Sequence, residues 1–184
     1  MQPQTYVQPQ TYVQPAYPST EVHVQVQPPH QGYSQDFYSV STACEQAFEG
    51  SANEQRCIQL ALQSAYSPVA TIQACERAFE GDENELCCVE TALRAQYDIA
   101  STIPVCENAF DGDQNELACL ERMVRRPDVN AIQLCENTFD GDQNELACLD
   151  AVAASSYDAA QIVPWCDQQH SGDQNELACL YQYR

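Results

Sequence analysis

Cys106-Glu-Asn-Ala-Phe-Asp-Gly-Asp-Gln-Asn-Glu-Leu-Ala-Cys119 is the stretch on which the fold of this chain turns. Variants of it join Cys44 to Cys57, Cys75 to Cys88, Cys135 to Cys148 and Cys166 to Cys179, always with twelve residues between the cysteines. The first cysteines, Cys44, Cys75, Cys106, Cys135 and Cys166, follow one another at a constant interval, shortened once between Cys106 and Cys135. A fixed period of this kind, with one supersecondary unit per copy, is the signature of an array or solenoid.

The residues around each first cysteine read as helix. Asp36, Ser67, Asp98 and Asp158 stand eight residues before one, and Asp128 stands seven before. Each is a residue type that accepts hydrogen bonds from the free amides opening a helix. Ile72, Cys75 and Phe79 then fall three and four apart, as do Ile103, Cys106 and Phe110, and Ile132, Cys135 and Phe139; that spacing lines one helical face. Pro104 and Pro164 lie inside this first helix and are expected to kink it or delay its start. Gly50, Gly81, Gly112, Gly141 and Gly172 are expected to end it in the left-handed conformation.

Directly after each glycine comes Ser51, Asp82, Asp113, Asp142 or Asp173, with Glu54, Glu85, Glu116, Glu145 or Glu176 three residues on. This is the pattern of a capping box opening a second helix. Leu117, Leu120 and Val124 supply that helix's apolar face, as do Leu146, Leu149 and Val152. Each repeat therefore reads as an αα-hairpin. Cys106 lies six residues before Gly112 and Cys119 seven after it, so antiparallel helices leaving a tight turn bring the two level. The expected fold is all-α: five αα-hairpin repeats forming a short solenoid, with one disulfide per hairpin. The repeats span 36–66, 67–97, 98–127, 128–157 and 158–184, the last a capping repeat in which Gln169 and His170 replace the Ala-Phe pair.

Residues 1–35 differ from all that follows. Gln2-Pro-Gln-Thr-Tyr-Val7 repeats at once as Gln8-Pro-Gln-Thr-Tyr-Val13, followed by Pro15, Pro18, Pro28 and Pro29. This Pro/Gln/Tyr-rich segment is expected to be an extended or disordered tether. Within it, residues 21–26 alternate apolar and polar like a short strand that could pair with a second copy.

The array resembles the αα-hairpin solenoids, tetratricopeptide and Sel1-like repeats in particular, over residues 36–184. That resemblance implies a protein-interaction scaffold. The unit here is shorter than a tetratricopeptide repeat, and that family's Trp-Leu-Gly-Tyr pattern is absent. The phrase ending at Cys119 is also similar to one in uncharacterised bacterial envelope proteins, which implies a location and no activity.

The bulk numbers narrow the partners. Net charge is −20 with no lysine, a field that repels nucleic acid and anionic membrane surfaces. No apolar stretch is long enough to span a membrane. Eleven regularly spaced cysteines point to an oxidising compartment, so the protein is expected to be extracytoplasmic: secreted, periplasmic or on the cell surface. Export implies a signal peptide; Met1 opens a Pro/Gln-rich stretch instead, and the signal is expected to have been removed.

The turns hold the candidate sites. Glu107 and Asp111 sit at the end of the first helix, where the dipole disfavours negative charge. With Asn115, Glu136, Asp140 and Asn144 they define a candidate binding edge for a protein or glycan partner at the cell envelope. A second reading makes the turns calcium sites in an acidic structural protein, with Asp111, Asp113 and Asn115 as ligands. The loop is no EF-hand, because Glu116 stands where the glycine belongs and Arg122 where the closing glutamate belongs. A third reading is a carboxylate-based hydrolase; no catalytic constellation accompanies it, and the expectation is a protein that is not an enzyme and has no cofactor. The turn asparagines are expected to form a ladder between repeats. Cys87 is the odd cysteine, either buried in a small-residue slot or cross-linking two chains into a homodimer. Arg122, Arg125 and Arg126 form the one basic cluster, placed to offset a neighbouring repeat's acids or to end a helix.

Overall fold

The computed structural model describes residues 37–184, the side chain of Ser51 excepted. The tether, the 21–26 segment and the cap expected at Asp36 lie outside the described residues. These form ten α-helices and no strand: α1 Phe37–Ala47, α2 Ser51–Ala61, α3 Pro68–Ala78, α4 Asp82–Ala92, α5 Ile103–Ala109, α6 Asp113–Arg125, α7 Val129–Thr138, α8 Asp142–Ala154, α9 Ala159–Gln169 and α10 Asp173–Leu180. A single 3-10 turn, Tyr181–Tyr183, closes the chain. Each odd helix pairs with the even helix after it, odd helices stack on odd, and even on even. The result is a two-layer array of five hairpins.

Helices of seven to thirteen residues are marginal alone in water, so what surrounds them must hold them. Here it is the disulfides and the packing. Cys44–Cys57, Cys75–Cys88, Cys106–Cys119, Cys135–Cys148 and Cys166–Cys179 all form, with Cα atoms 5.7–5.8 Å apart. Around them Ile72, Ile103, Ile132, Leu120 and Leu149 are fully buried, and Phe48, Phe79, Phe110 and Phe139 nearly so. The periodic face expected from spacing is the core face.

Helix starts follow the sequence at three repeats and depart from it at one. Asp128 accepts from the Ala131 N–H and Asp158 from the Ala160 N–H, each as an N-cap. Ser67 stands at the α3 N-cap without a side-chain bond, ahead of Pro68. Asp98 is not a cap. Pro104 is the second residue of α5, which starts only at Ile103 with Thr102 as N-cap. Asp98 instead accepts from the Ala100 N–H in the loop, while Ile99 buries in the core. Pro164, by contrast, lies within α9, which runs through it.

The interhelical turn is also displaced from expectation. The first helix ends with Phe79, Phe110 or Phe139 in extended conformation, and the glycine comes two residues later. Gly112 has φ 86° and ψ 141°, a positive-φ extended geometry and not the left-handed helical one. Only glycine adopts it without strain. This glycine is itself the N-cap of the second helix, so the following aspartate is the first helical residue. Half of the expected capping box survives: Glu85, Glu116, Glu145 and Glu176 reach back to the N–H of Gly81, Gly112, Gly141 and Gly172. The aspartates are released for another task.

Candidate functional site

Along the turn edge, each freed aspartate is taken by the asparagine of the preceding repeat. Asn53 donates to Asp82 at 3.3 Å, Asn84 to Asp113, Asn115 to Asp142, and Asn144 to Asp173 at 2.6 Å. The same amide groups of Asn84, Asn115 and Asn144 also donate to the carbonyls of Glu80, Asp111 and Asp140 four residues back. Each such asparagine thus locks its own turn and bridges to the next. The ladder expected from the recurrent asparagines is present, and it occupies the amides of Asn115 and Asn144 that were candidates for partner contact.

Hydrogen bonds to a charged acceptor contribute about 1.5–3 kcal/mol each. Asn115→Ala is accordingly expected to lower stability by roughly 1–2 kcal/mol, leaving Asp142 without its donor. Asn115→Asp should cost more, because it sets one carboxylate against another. Thermal melts of the two variants check both the size and the order.

The other ends of the second helices are tied as well. The Tyr97 hydroxyl donates to the Met123 carbonyl of the following repeat. Arg126 donates to the carbonyls of Val152 at 3.1 Å and Ser155 at 2.7 Å, satisfying the open C-terminal end of α8. Arg122 bridges forward to Asp150 at 2.7 Å. Arg122 and Arg126 therefore work between repeats, and Arg122 offsets an acid of the neighbouring repeat as expected. Sequence reasoning misses Tyr97, since nothing in its neighbourhood marks a tyrosine whose partner lies in the next repeat.

The acids of the edge divide by burial. Glu116 and Glu145 are 7% exposed and Glu176 is 6%. One carboxyl oxygen of Glu85, Glu116 and Glu145 has no hydrogen-bond partner. Burial first, then Asp113 and Glu107, push Glu116 up to about 7 against the Gly112 N–H that lowers it. Burial, Asp142 and Glu136 push Glu145 up to about 7 in the same way. Glu85 and Glu176 are also raised, again chiefly by burial.

Asp111, Glu136 and Asp140 are exposed and Glu107 is half-buried. The equivalents Glu45, Glu49, Glu76 and Glu80 are exposed too, so the acids recur from the first hairpin to the fourth. The salt bridges among the described residues are Arg56–Glu90, Arg94–Glu90 and Arg122–Asp150, all on or beside second helices. None reaches the edge acids. Among the described residues no group of three or more acidic, histidine or cysteine side chains is placed to hold a metal ion. In the turn proposed for calcium, Asp113 is engaged by Asn84 and the Asn115 amide by Asp142.

Two further features complete the surface. A shallow groove of about 210 Å³ runs between α4 and α6, lined by Thr91, Arg94, Glu121, Val124 and Arg125. The glutamates with raised pKa values lie in the turns and not in this groove. Cys87 is free and exposed, which corrects the buried-slot reading. Of its counterparts, Arg56 and Ala178 are exposed, and Ala118 and Ala147 are half-buried against the core.

Fold and edge together define a disulfide-stapled αα-hairpin repeat protein with an acidic turn edge. Five disulfides are the chemistry of an oxidising compartment, and no described helix is long and apolar enough to cross a membrane. The chain matches no protein-family model, no curated protein and no solved structure.

Proposed function

We propose that this protein is an extracytoplasmic scaffold that holds a basic protein partner at the cell envelope along its turn edge. The observation that supports this reading is the column Glu107, Asp111, Glu136 and Asp140, which recurs at the repeat spacing with no arginine paired to it. Such a row of one sign attracts a cationic surface and speeds encounter with it. The ladder and the disulfides keep the spacing rigid, so the acids meet a partner without loss of order. Because the charges are exposed, salt must weaken the contact.

The test is capture from envelope fractions of the source cells on the immobilised protein. A variant carrying Glu107→Gln, Asp111→Asn, Glu136→Gln and Asp140→Asn serves as comparison, each at low and at about 0.5 M salt, where screening acts within a few ångströms. Basic proteins retained by the wild type should fall at least tenfold on the variant and at high salt. Equal recovery on both proteins, or recovery of neutral glycan alone, removes the proposal.

A further inference from the structure

The residue that precedes each turn glycine is not the same in every hairpin. The first and second carry Glu49-Gly50 and Glu80-Gly81, the third and fourth Asp111-Gly112 and Asp140-Gly141, and the fifth Ser171-Gly172. The turns around the inner glycines are alike: Gly81, Gly112 and Gly141 have φ of 85°, 86° and 84° and ψ of 141°, 141° and 140°. What varies is the side chain, and only aspartate places its carboxyl where a five-membered ring can close on the next main-chain nitrogen. Glutamate would need a larger and slower ring, and serine has no carboxyl. A nucleophile and an electrophile held one bond apart in this way react as a single molecule.

The surroundings leave that ring free to form. Asp111, Asp140, Gly112 and Gly141 are all exposed. Neither aspartate carboxylate takes part in a hydrogen bond or ion pair with a described residue. No described backbone carbonyl takes the N–H of Gly112 or Gly141. The space beside each glycine is open as well: chain neighbours apart, a Cβ placed there would meet nothing within 4 Å. What reaches each N–H is a carboxylate, that of Glu116 or Glu145. An acceptor at that nitrogen is placed to take its proton.

We propose that Asp111-Gly112 and Asp140-Gly141 are self-modification sites, where the aspartate cyclises to a succinimide and reopens as isoaspartate. The Gly112 nitrogen attacks the side-chain carbonyl carbon of the protonated Asp111 carboxyl, and a C–N bond forms. The nitrogen's proton passes to Glu116, which returns it to the departing hydroxyl, so the C–O bond breaks and water leaves. Water then opens the ring: attack at the side-chain carbonyl restores aspartate, and attack at the main-chain carbonyl leaves isoaspartate. No other reactant is required. The succinimide removes one negative charge from the turn edge and the N–H that Glu116 reaches. Isoaspartate lengthens the main chain by one carbon between α5 and α6. The carbonyls it converts are those that accept from Asn115 at 3.1 Å and from Asn144 at 3.0 Å. Asp140 is held further, its own N–H donating to Asp173 at 3.2 Å, so Asp111 is the faster site.

Mass-spectrometric peptide mapping of the full chain, held for weeks in warm, mildly acidic buffer, tests this. Isoaspartate is scored by enzymatic methylation of its free α-carboxylate, and a synthetic peptide of residues 106–119 with blocked cysteines gives the rate without the fold. The expected result is loss of one water and then isoaspartate at Asp111, and more slowly at Asp140, at roughly one-tenth of the peptide's rate or faster. Glu80-Gly81 should yield neither product. Asp111→Glu, which installs the residue of the second hairpin, should abolish the product there and leave the helical signal unchanged. Glu145→Gln should slow Asp140 at least threefold and leave Asp111 as it was, a contrast that general unfolding would not produce. Aspartates that stay intact while the peptide converts would overturn the proposal. So would equal conversion at Glu80-Gly81, or a Glu145→Gln variant in which both sites keep their rates.

Discussion

Reducing the five disulfides is expected to abolish the helical fold. Each bridge closes a loop of about fourteen residues, and a loop of that size stabilises by about 3 kcal/mol through restriction of the unfolded chain. Five independent loops approach about 15 kcal/mol, the upper range of what separates a native domain from its unfolded state. The cysteine pairs are 0–2% exposed, so a reductant alone should act slowly. The measurement is therefore far-UV circular dichroism after reduction in mild denaturant and return to native buffer at 37 °C. Loss of the helical signal is expected. Recovery of it would mean that packing and the Asn–Asp ladder suffice without the staples. Removing only the central pair, with Cys106→Ser and Cys119→Ser, should lower the melting temperature and broaden the transition, since each repeat is stabilised through its neighbours.

Acidification from pH 8 to pH 5 is expected to stabilise this protein. Glu116 and Glu145 sit at about 7 in the folded state, above the ordinary carboxyl value that holds when the chain is unfolded. Between about 4.5 and 7 the folded chain thus binds more protons than the unfolded one, and stability falls as pH rises through that window. Above it the cost is fully present. The groups that face Glu116 are Asp113, Glu107 and Asp111, and those that face Glu145 are Asp142, Glu136 and Asp111. All are acids; the opposing influence is the N–H of Gly112 or Gly141. Each tenfold displacement of proton affinity corresponds to about 1.4 kcal/mol. With relaxation and water access at the edge, on the order of 1–2 kcal/mol is expected, or roughly 3–8 °C in melting temperature for a chain of this size. General relief of charge repulsion acts in the same direction. The double variant Glu116→Gln and Glu145→Gln separates the two, because it keeps an acceptor for the glycine N–H and removes the titration. It should melt higher than the wild type at pH 8 and show a flatter pH profile. An unchanged profile would place the effect elsewhere.

Much of this architecture is legible in the chain because the determinants are local. Cysteines six before and seven after a turn glycine can meet only across one hairpin, so the pairing needs no tertiary information. The apolar face through Ile103, Cys106 and Phe110 is likewise a matter of spacing. The capping pattern misplaces the turn for an instructive reason. Asp113 three residues before Glu116 satisfies the capping-box pattern, yet the helix begins one residue earlier, at a glycine cap, and Asp113 instead accepts from Asn84 of another repeat. A pattern within four residues cannot report a partner 29 residues away. Asp98 fails as a cap while Asp158 succeeds, although each has a proline six residues on, Pro104 and Pro164, so the local sequence pattern does not by itself decide where the helix starts.

The candidate site divides along the same line. The exposed acids of the edge can be picked out from their unfavourable place at a helix end, and they lie at the surface. Asn115 and Asn144 can be seen to recur, but only the stacking of repeats makes them bridges. By itself the sequence determined the hairpin, its disulfide and its number of copies, since these rest on contacts made within a single repeat. Tertiary structure alone decided how the copies meet: which carboxylates are buried, which face outward, and that Cys87 is exposed. Those outcomes depend on what lies across an interface, and a side chain's own sequence neighbours do not specify that.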